Sequence, residues 1–358
     1  MRILYGVQGT GNGHLTRARV MAKAFQQLPD VHVDFLISGR AKQHLFGVEP
    51  LGDFQWRQGL SFATRDGKVS VVDTVSSNPW WQFWRDVQTL DVTHYDLVVT
   101  DFEPVTAWAA KRCKVPSIGL GRQYVFYLAH PSLAVSSLQR AMVRQFSPVD
   151  LALGTHWQPL SATTLPPIVE PVGANTAARQ VGHYLVYLPF EPLAEIKTLL
   201  QRLNNLAPEY HFDVFHPDAS HLTTSNAQFH PPSREGFKQV FAQAQGVIAN
   251  AGFGTSSEAL MAGKKILLKP LKGQFEQHAN ADYLAQHGLA EVITTLHTQA
   301  VVRWLHTDIS HQLAWASVAQ PLADWLGNPK RPAIGDLTTA LWRESSVQQV
   351  RTAQRVSA

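Results

Sequence analysis

Apolar positions along the chain fall into two alternating patterns. Short β-branched runs at Ile3–Val7, Val33–Ile37, Leu97–Thr100, Val115–Leu120 and Leu151–Gly154 are separated by stretches whose apolar residues lie three and four apart. Met21, Ala24, Phe25 and Leu28 share one face of a helix that the spacing starts near Thr16. Continuous apolar strands separated by helices predict a parallel sheet covered on both faces. The pattern pauses over 156–183, where Pro159, Pro166, Pro167, Pro171, Gly173 and Gly182 gather. It resumes with strands at Tyr184–Leu188, Phe212–Phe215, Gly246–Ala249, Lys265–Leu268 and Glu291–Thr294. Helices are expected through Glu195–Leu203 and around Phe237, Val240, Phe241 and Ala244, the latter with Ser233 as its N-cap. Residues 335–357 read as helical. The expected fold is α/β, with two doubly wound Rossmann-like domains facing a central cleft. The first covers 1–170, a linker 171–183 and the second 184–334, with a C-terminal helix over 335–358 packing back on the first domain. Ligands of such sheets bind beyond the carboxyl ends of the strands.

Composition narrows the function classes. A chain of 358 residues is long enough for two domains. With 45% hydrophobic and 16% charged residues it is unlike a disordered chain. No apolar run approaches the ~20 residues of a membrane span. The start, Met1 to Gly6, enters a strand with no signal-peptide pattern. The single cysteine, Cys113, excludes an intrachain disulfide and CxxC motifs, which fits a reducing, cytoplasmic compartment. Thirty-one basic against 27 acidic residues leave a net charge of only +4, with no Lys/Arg block, so nucleic acid is not an expected partner. Ten tryptophans are unusual, and three fall in Asn78-Pro-Trp80-Trp81-Gln-Phe83-Trp84-Arg85. Trp80, Phe83, Trp84 and Val87 form a helical stripe that reads as core. Trp81 points elsewhere and suits a sugar face or a lipid interface.

Two stretches carry candidate chemistry in the first half. Gly9-Thr-Gly11-Asn-Gly13-His14 follows the first strand and opens the first helix. Glycines there permit positive φ and close approach, and the helix N-terminus attracts anions. The spacing is not G-x-G-x-x-G, and Asp34 does not sit at the end of the second strand, so a dinucleotide site is poorly supported. His14 suits a general base; the plainer reading is a local hydrogen bond at a helix start. Asp101-Phe-Glu103-Pro104 follows another strand. Asp101 can orient His14 as in a His–Asp dyad. The plainer reading makes Asp101 an N-cap, with Glu103 and Pro104 in the first turn. A DxD metal motif is absent, and no metal site is expected.

The densest cluster lies in the second half. A strand ends at Asn250, Gly252 and Gly254 turn, and Thr255, Ser256 and Ser257 open a helix that can hold a diphosphate. Glu258 follows; it can accept two ribose hydroxyls or simply favour the helix dipole. After Pro270, Gln274, Glu276 and Gln277 open another helix and suit sugar hydroxyls, or are ordinary helix-start polarity.

In this order the segment resembles the donor-binding half of GT-B-fold glycosyltransferases, especially those similar to the lipid-linked N-acetylglucosamine transferase of peptidoglycan synthesis. The matching positions are Gly252, Gly254, Glu258, Gly263, Pro270, Gln277 and Asn280-Ala281, joined by the N-terminal turn closing with His14 and by Asp101 to Pro104. The resemblance implies a nucleotide-sugar donor, UDP-linked by expectation, and a glycan or lipid-linked acceptor. It implies no resident cofactor or metal, and an inverting transfer by a cytoplasmic enzyme in peripheral contact with the membrane. Glu258 would bind ribose, Gly254, Thr255 and Ser256 the diphosphate, and Gln274, Glu276 and Gln277 the sugar. His14 would be the catalytic base supported by Asp101, with Gly11, Gly13 and Glu103 on the acceptor side. The stretch after the second domain's first strand, Leu188-Pro-Phe-Glu191-Pro192, departs from the glycine-rich loop often found there. A nucleotide-sugar epimerase and a non-catalytic nucleotide-sugar-binding protein stay open as alternatives.

Overall fold

The computed structural model describes residues 1–61, 64–65, 68–69, 78–133, 135–170 and 179–348. Two compact units each carry a seven-stranded sheet. Unit 1 comprises Met1–Ala63, Val71–Pro171 and Trp315–Ser346, and unit 2 chiefly Val172–Ala314. Positions 171–178 of the expected linker lie outside the described residues.

The sheet of unit 1 contains β1 (Arg2–Gln8), β2 (His32–Ser38), β3 (Gln55–Trp56), β4 (Leu97–Asp101), β5 (Ser117–Gly121), β6 (Leu151–Thr155) and β7 (Thr164–Leu165). Its order is β3-β2-β1-β4-β5-β6-β7, and every pair is parallel. The strand order reverses between β1 and β4, which makes their carboxyl ends the switch point where such sheets bind ligands. Side chains alternate across the sheet, as strand geometry requires. Ile3, Tyr5 and Val7 pack with Leu15, Ala18, Met21 and Phe25 of α1 (Asn12–Phe25). Leu4 and Val98 face the other way, onto Phe83 and Val87 of α2 (Trp80–Thr89) and Val105 and Ala109 of α3 (Pro104–Cys113). Each such apolar side chain contributes about 1.5–3 kcal/mol when fully buried, so packing rather than propensity holds these helices. A further helix, α4 (Ser137–Phe146), starts with a capping box between Ser136 and Gln139.

Only half of the expected α2 core stripe is core. Phe83 and Val87 are 2% exposed, whereas Trp80 and Trp84 are each 44% exposed and Trp81 is 73% exposed. The helix α3 beneath covers Phe83 and Val87, and reaches Trp84 only edge-on through Trp108, whose ring centroid lies 5.3 Å away.

Unit 2 repeats the topology. Its strands are β8 (His183–Tyr187), β9 (His211–Phe215), β10 (Leu222–Thr223), β11 (Ala227–His230), β12 (Gly246–Ala249), β13 (Lys265–Leu268) and β14 (Glu291–Val292), in the order β10-β11-β9-β8-β12-β13-β14. All pairs are parallel except β10 with β11. The helices are α5 (Leu193–Leu206), α6 (Arg234–Gln243), α7 (Phe253–Met261), α8 (Phe275–Gln286) and α9 (Thr298–Leu305). Ser233 caps α6 as expected, its hydroxyl accepting from Gly236 N at 3.1 Å. Tyr184, Val186 and Leu188 pack on Ile196, Leu199 and Leu203 of α5 and on Val301 and Trp304 of α9. Here the switch point lies between β8 and β12.

The chain rejoins unit 1 at Trp315, ahead of the 335 expected from the sequence, through α10 (Ala319–Gly327) and α11 (Ile334–Glu344). Leu322, Ala323, Trp325 and Leu326 of α10 enter the core that contains α1. Trp342 Nε1 donates to Thr164 O at 2.7 Å and Thr338 Oγ1 to Ala162 O at 2.9 Å, fastening α11 beside β7. This last helix ends at Glu344, because Ser345 turns extended and Ser346–Gln348 forms a short strand; positions 349–358 of the expected helix lie outside the described residues. Among the described residues no helix is long and apolar enough to cross a membrane.

Candidate active site

In unit 1 the switch point gathers a buried charged cluster. The chain leaves β1 and enters α1 with Gly11 as an extended N-cap, so the helix starts at Asn12 and not near Thr16. His14 therefore lies in the first turn. None of Gly9, Gly11 and Gly13 has the positive φ that the glycine turn suggested. Gly9 is instead needed for space: a Cβ there would stand 2.9 Å from Ser38 O. A Cβ at Gly13 would meet no atom within 4 Å, so packing does not require glycine there.

His14 Nδ1 lies 2.6 Å from Asp101 Oδ1, at the end of β4. Asp101 is fully buried and holds Arg17 as well, with Arg17 Nε donating to Oδ2 at 2.7 Å and Nη2 to Oδ1 at 2.5 Å. Burial alone would raise the Asp101 pKa, but the Arg17 guanidinium and His14 beside it hold the carboxyl below its usual range. With Nδ1 donating to the carboxylate, the network assigns the tautomer whose Nε2 carries the lone pair. The Gln123 amide nitrogen stands 3.5 Å from that atom. Gly121 makes the arrangement fit: its φ is +143°, and a Cβ would come within 2.8 Å of Arg17 Nη2 and 3.2 Å of Asp101 Oδ1. The spacing of His14 and Arg17, three apart on a helix, is the one signal for Arg17 in the sequence.

Glu103 holds the start of α3. It is fully buried and, rather than Asp101, it is the N-cap of α3, accepting from Val105 N at 2.8 Å and Thr106 N at 2.7 Å. Ser38 Oγ and Thr106 Oγ1 also donate to it, each at 2.6 Å. Burial pushes its pKa up in spite of these four donors.

In unit 2 the switch point holds the second cluster. Gly252 caps α7, which begins at Phe253, so Thr255 lies in the first turn and Glu258 in the second. No acidic residue stands in that first turn, which removes the helix-dipole reading of Glu258. Glu258, Thr255 and Gly254 are half-buried. The Ser256 amide already donates to Gly252 O at 3.1 Å, while its hydroxyl is buried without a partner. A Cβ at Gly252 would meet no atom within 4 Å. Gly263, with φ +61°, ends the helix as expected from its place in the motif.

The polar residues of α8 divide in two. Gln274 is the N-cap, its side chain accepting from Gln277 N at 2.7 Å, and Gln274 and Glu276 are half-buried. Gln277 and Asn280 are buried and occupied: Gln277 Oε1 accepts from Leu271 N at 2.9 Å, and Asn280 Nδ2 donates to Ala251 O at 2.9 Å. Those two amides hold α8 to the loops after β12 and β13. Beside them, Glu191, Asn250 and Lys269 form a group that the sequence reading did not single out. Lys269 Nζ pairs with Glu191 Oε1 at 2.6 Å, and Asn250 Nδ2 donates to the same oxygen at 3.3 Å and to Lys269 O at 2.9 Å. Among the described residues no group of three His, Cys, Asp or Glu side chains is arranged to hold a metal ion.

Comparison with known proteins agrees with this architecture. The family model described as glycosyl transferase family 1 matches residues 1–307. A search of curated protein sequences gave no match. Among solved structures, MurG of Acinetobacter baumannii is similar at 16% identity over 96% of this chain and 95% of its own, with a TM-score of 0.50. The spinosyn rhamnosyltransferase SpnG, complexed with thymidine diphosphate, is 13% identical over 95% of this chain and all (100%) of its own, with a TM-score of 0.54. MnaA of S. aureus, with UDP, is 11% identical over 86% and 88%, with a TM-score of 0.57. The two α/β units thus have the GT-B fold, and the chain, a glycosyltransferase, belongs to glycosyl transferase family 1.

Proposed function

We propose that this glycosyltransferase moves a sugar from a UDP-linked donor to a hydroxyl of a glycan or lipid-linked acceptor, with inversion and without a metal or resident cofactor. The observation that carries the reading is the His14–Asp101 contact of 2.6 Å, which orients a histidine at a switch point with Nε2 able to accept a proton. His14 Nε2 takes the proton of the acceptor hydroxyl as its oxygen attacks the anomeric carbon. The bond from that carbon to the β-phosphate oxygen breaks, and the electron pair leaves with the diphosphate. Attack opposite the leaving group inverts the centre. The free N–H groups of Gly254 and Thr255 and the Ser256 hydroxyl receive the diphosphate charge, with Glu258 on the ribose. Two similar structures hold pyrimidine nucleoside diphosphates, UDP and thymidine diphosphate, which supports a donor of that class.

A thermal-shift panel of nucleoside diphosphates tests the donor. UDP should raise the melting temperature above the other bases, since a ligand at 100 times its Kd adds about 2.7 kcal/mol. The Glu258→Ala protein should bind UDP about 10²- to 10⁴-fold more weakly, the loss of two hydrogen bonds to a charged group. A panel led by a purine diphosphate, or unchanged UDP affinity in the variant, overturns the assignment. Conversion of a UDP-sugar with no acceptor present replaces transfer by epimerisation.

The surface of unit 1 supports a peripheral site on an anionic bilayer for a cytoplasmic enzyme with a lipid-linked acceptor. Trp80, Trp81 and Trp84 are exposed on α2, and Leu138 and Met142 on α4. Trp108 of α3 links them, meeting Trp84 at 5.3 Å and donating to Gln145 O at 3.2 Å. Basic groups lie over the rings: Arg85 is 5.4 Å from Trp81 and Lys111 is 4.8 Å from Trp108. Aromatic rings with cationic neighbours suit the interface of an anionic bilayer. The protein should sediment with phosphatidylglycerol vesicles at low salt, and substitution of all three α2 tryptophans by Ser should lower the bound fraction at least about tenfold. Equal binding of the variant removes the membrane reading.

A further inference from the structure

The proposed base carries a feature beyond a His–Asp pair: Asp101 is shared with Arg17. We infer that Arg17 is a positioning residue whose charge offsets that of Asp101, so that His14 keeps its Nδ1–H tautomer while staying free to accept a proton at Nε2. The inference rests on His14 acting as the base.

The geometry carries it. Asp101 is fully buried, and Arg17 and His14 are nearly so, at 6% and 9% exposed. A buried carboxylate with only a histidine beside it would draw a proton onto the imidazole, and a protonated imidazole cannot act as a base. Arg17 occupies Oδ2 through Nε and shares Oδ1 through Nη2, a two-point fork that a lysine cannot copy. Its Nη2 also stands 3.2 Å from His14 Nδ1, close enough to oppose protonation directly. Oδ1 remains within 2.6 Å of Nδ1, so orientation is retained while the net charge of the Arg17–Asp101 pair is zero. Among the described residues, three further groups at the cluster carry no charge at neutral pH. They are the Gln123 amide, the Tyr5 phenol on β1, and the Tyr124 phenol following β5, with both phenol pKa values raised well above 10.0.

The test is the titration of the His14 imidazole, followed by NMR in the full chain and identified by the resonance that disappears in His14→Gln. Arg17→Gln should raise the His14 midpoint by about one pH unit or more, and Arg17→Lys by less than about half a unit. If the lone carboxylate prevents Arg17→Gln from folding, the double variant Arg17→Gln/Asp101→Asn removes both charges. Its midpoint should then stay within about half a unit of the parent, because the two effects cancel. An unmoved midpoint in folded Arg17→Gln, or a midpoint lowered by more than about a unit in the double variant, overturns the inference. In a transfer assay the acid limb of the kcat/KM profile should move with the NMR midpoint. An NMR shift without a kinetic one leaves the role of Arg17 standing and removes His14 as the base.

Discussion

Replacing His14 by Asn lowers transfer at neutral pH by about 10²–10⁴-fold, the usual contribution of a positioned general base, while UDP affinity stays at the parent value. The separation follows from where the groups lie. His14 and Asp101 belong to unit 1, whereas Glu258, Thr255 and Ser256 belong to unit 2. The substitution removes the proton acceptor and leaves Asp101 with both Arg17 contacts, so no buried charge is stranded. Turnover is measured with the UDP-sugar that gives the largest thermal shift, and affinity by calorimetric titration of UDP. Undiminished turnover would sink the role of His14, and an equal loss of UDP binding would move His14 to the donor side. Asp101→Asn should also slow transfer, but its reading is less clean because the change leaves the Arg17 guanidinium buried without its carboxylate.

Replacing Glu103 by Ala destabilises unit 1 by about 3 kcal/mol, a loss of about 1–2 kcal/mol from the helix cap together with stranded hydroxyls at about 1 kcal/mol or more each. The carboxylate accepts from Val105 N, Thr106 N, Ser38 Oγ and Thr106 Oγ1, and all of this lies out of water. Ser38 ends β2 and Thr106 lies on α3, so one side chain ties strand, turn and helix together. Urea unfolding measures the effect. A Glu103→Ala protein with the parent midpoint and a raised acceptor KM would falsify the structural role and return Glu103 to the acceptor side. Glu103→Gln should recover part of the loss, since the amide keeps one of the two accepting oxygens.

Particular residues are legible in the sequence where the signal is local. Strands of a parallel sheet are buried on both faces, so they appear as unbroken apolar runs such as Leu97–Thr100 and Lys265–Leu268. Ser233 was legible as a cap because an N-cap needs only a hydroxyl just before a helical pattern. The pairing of His14 with Asp101 was legible because both follow strands in a fold whose carboxyl edge collects functional groups. Arg17 was missed because its partner lies 84 positions away, across a strand order that periodicity does not reveal. The same limit applies to Glu191 and Lys269, whose contact joins the loop after β8 to the end of β13, on either side of β12.

Hydrophobic periodicity and the positions of glycine and proline were enough to set the fold class, the two α/β halves and the turns that carry the candidate site residues. Tertiary structure decided which polar groups remain available. It gave the α3 cap to Glu103, tied Gln277 and Asn280 into loop contacts, left Trp80 and Trp84 half exposed, and brought Arg17 to Asp101. The reason is physical. Burial of apolar side chains depends on composition along one element. Satisfaction of a buried hydrogen-bonding group depends instead on which other element is packed against it.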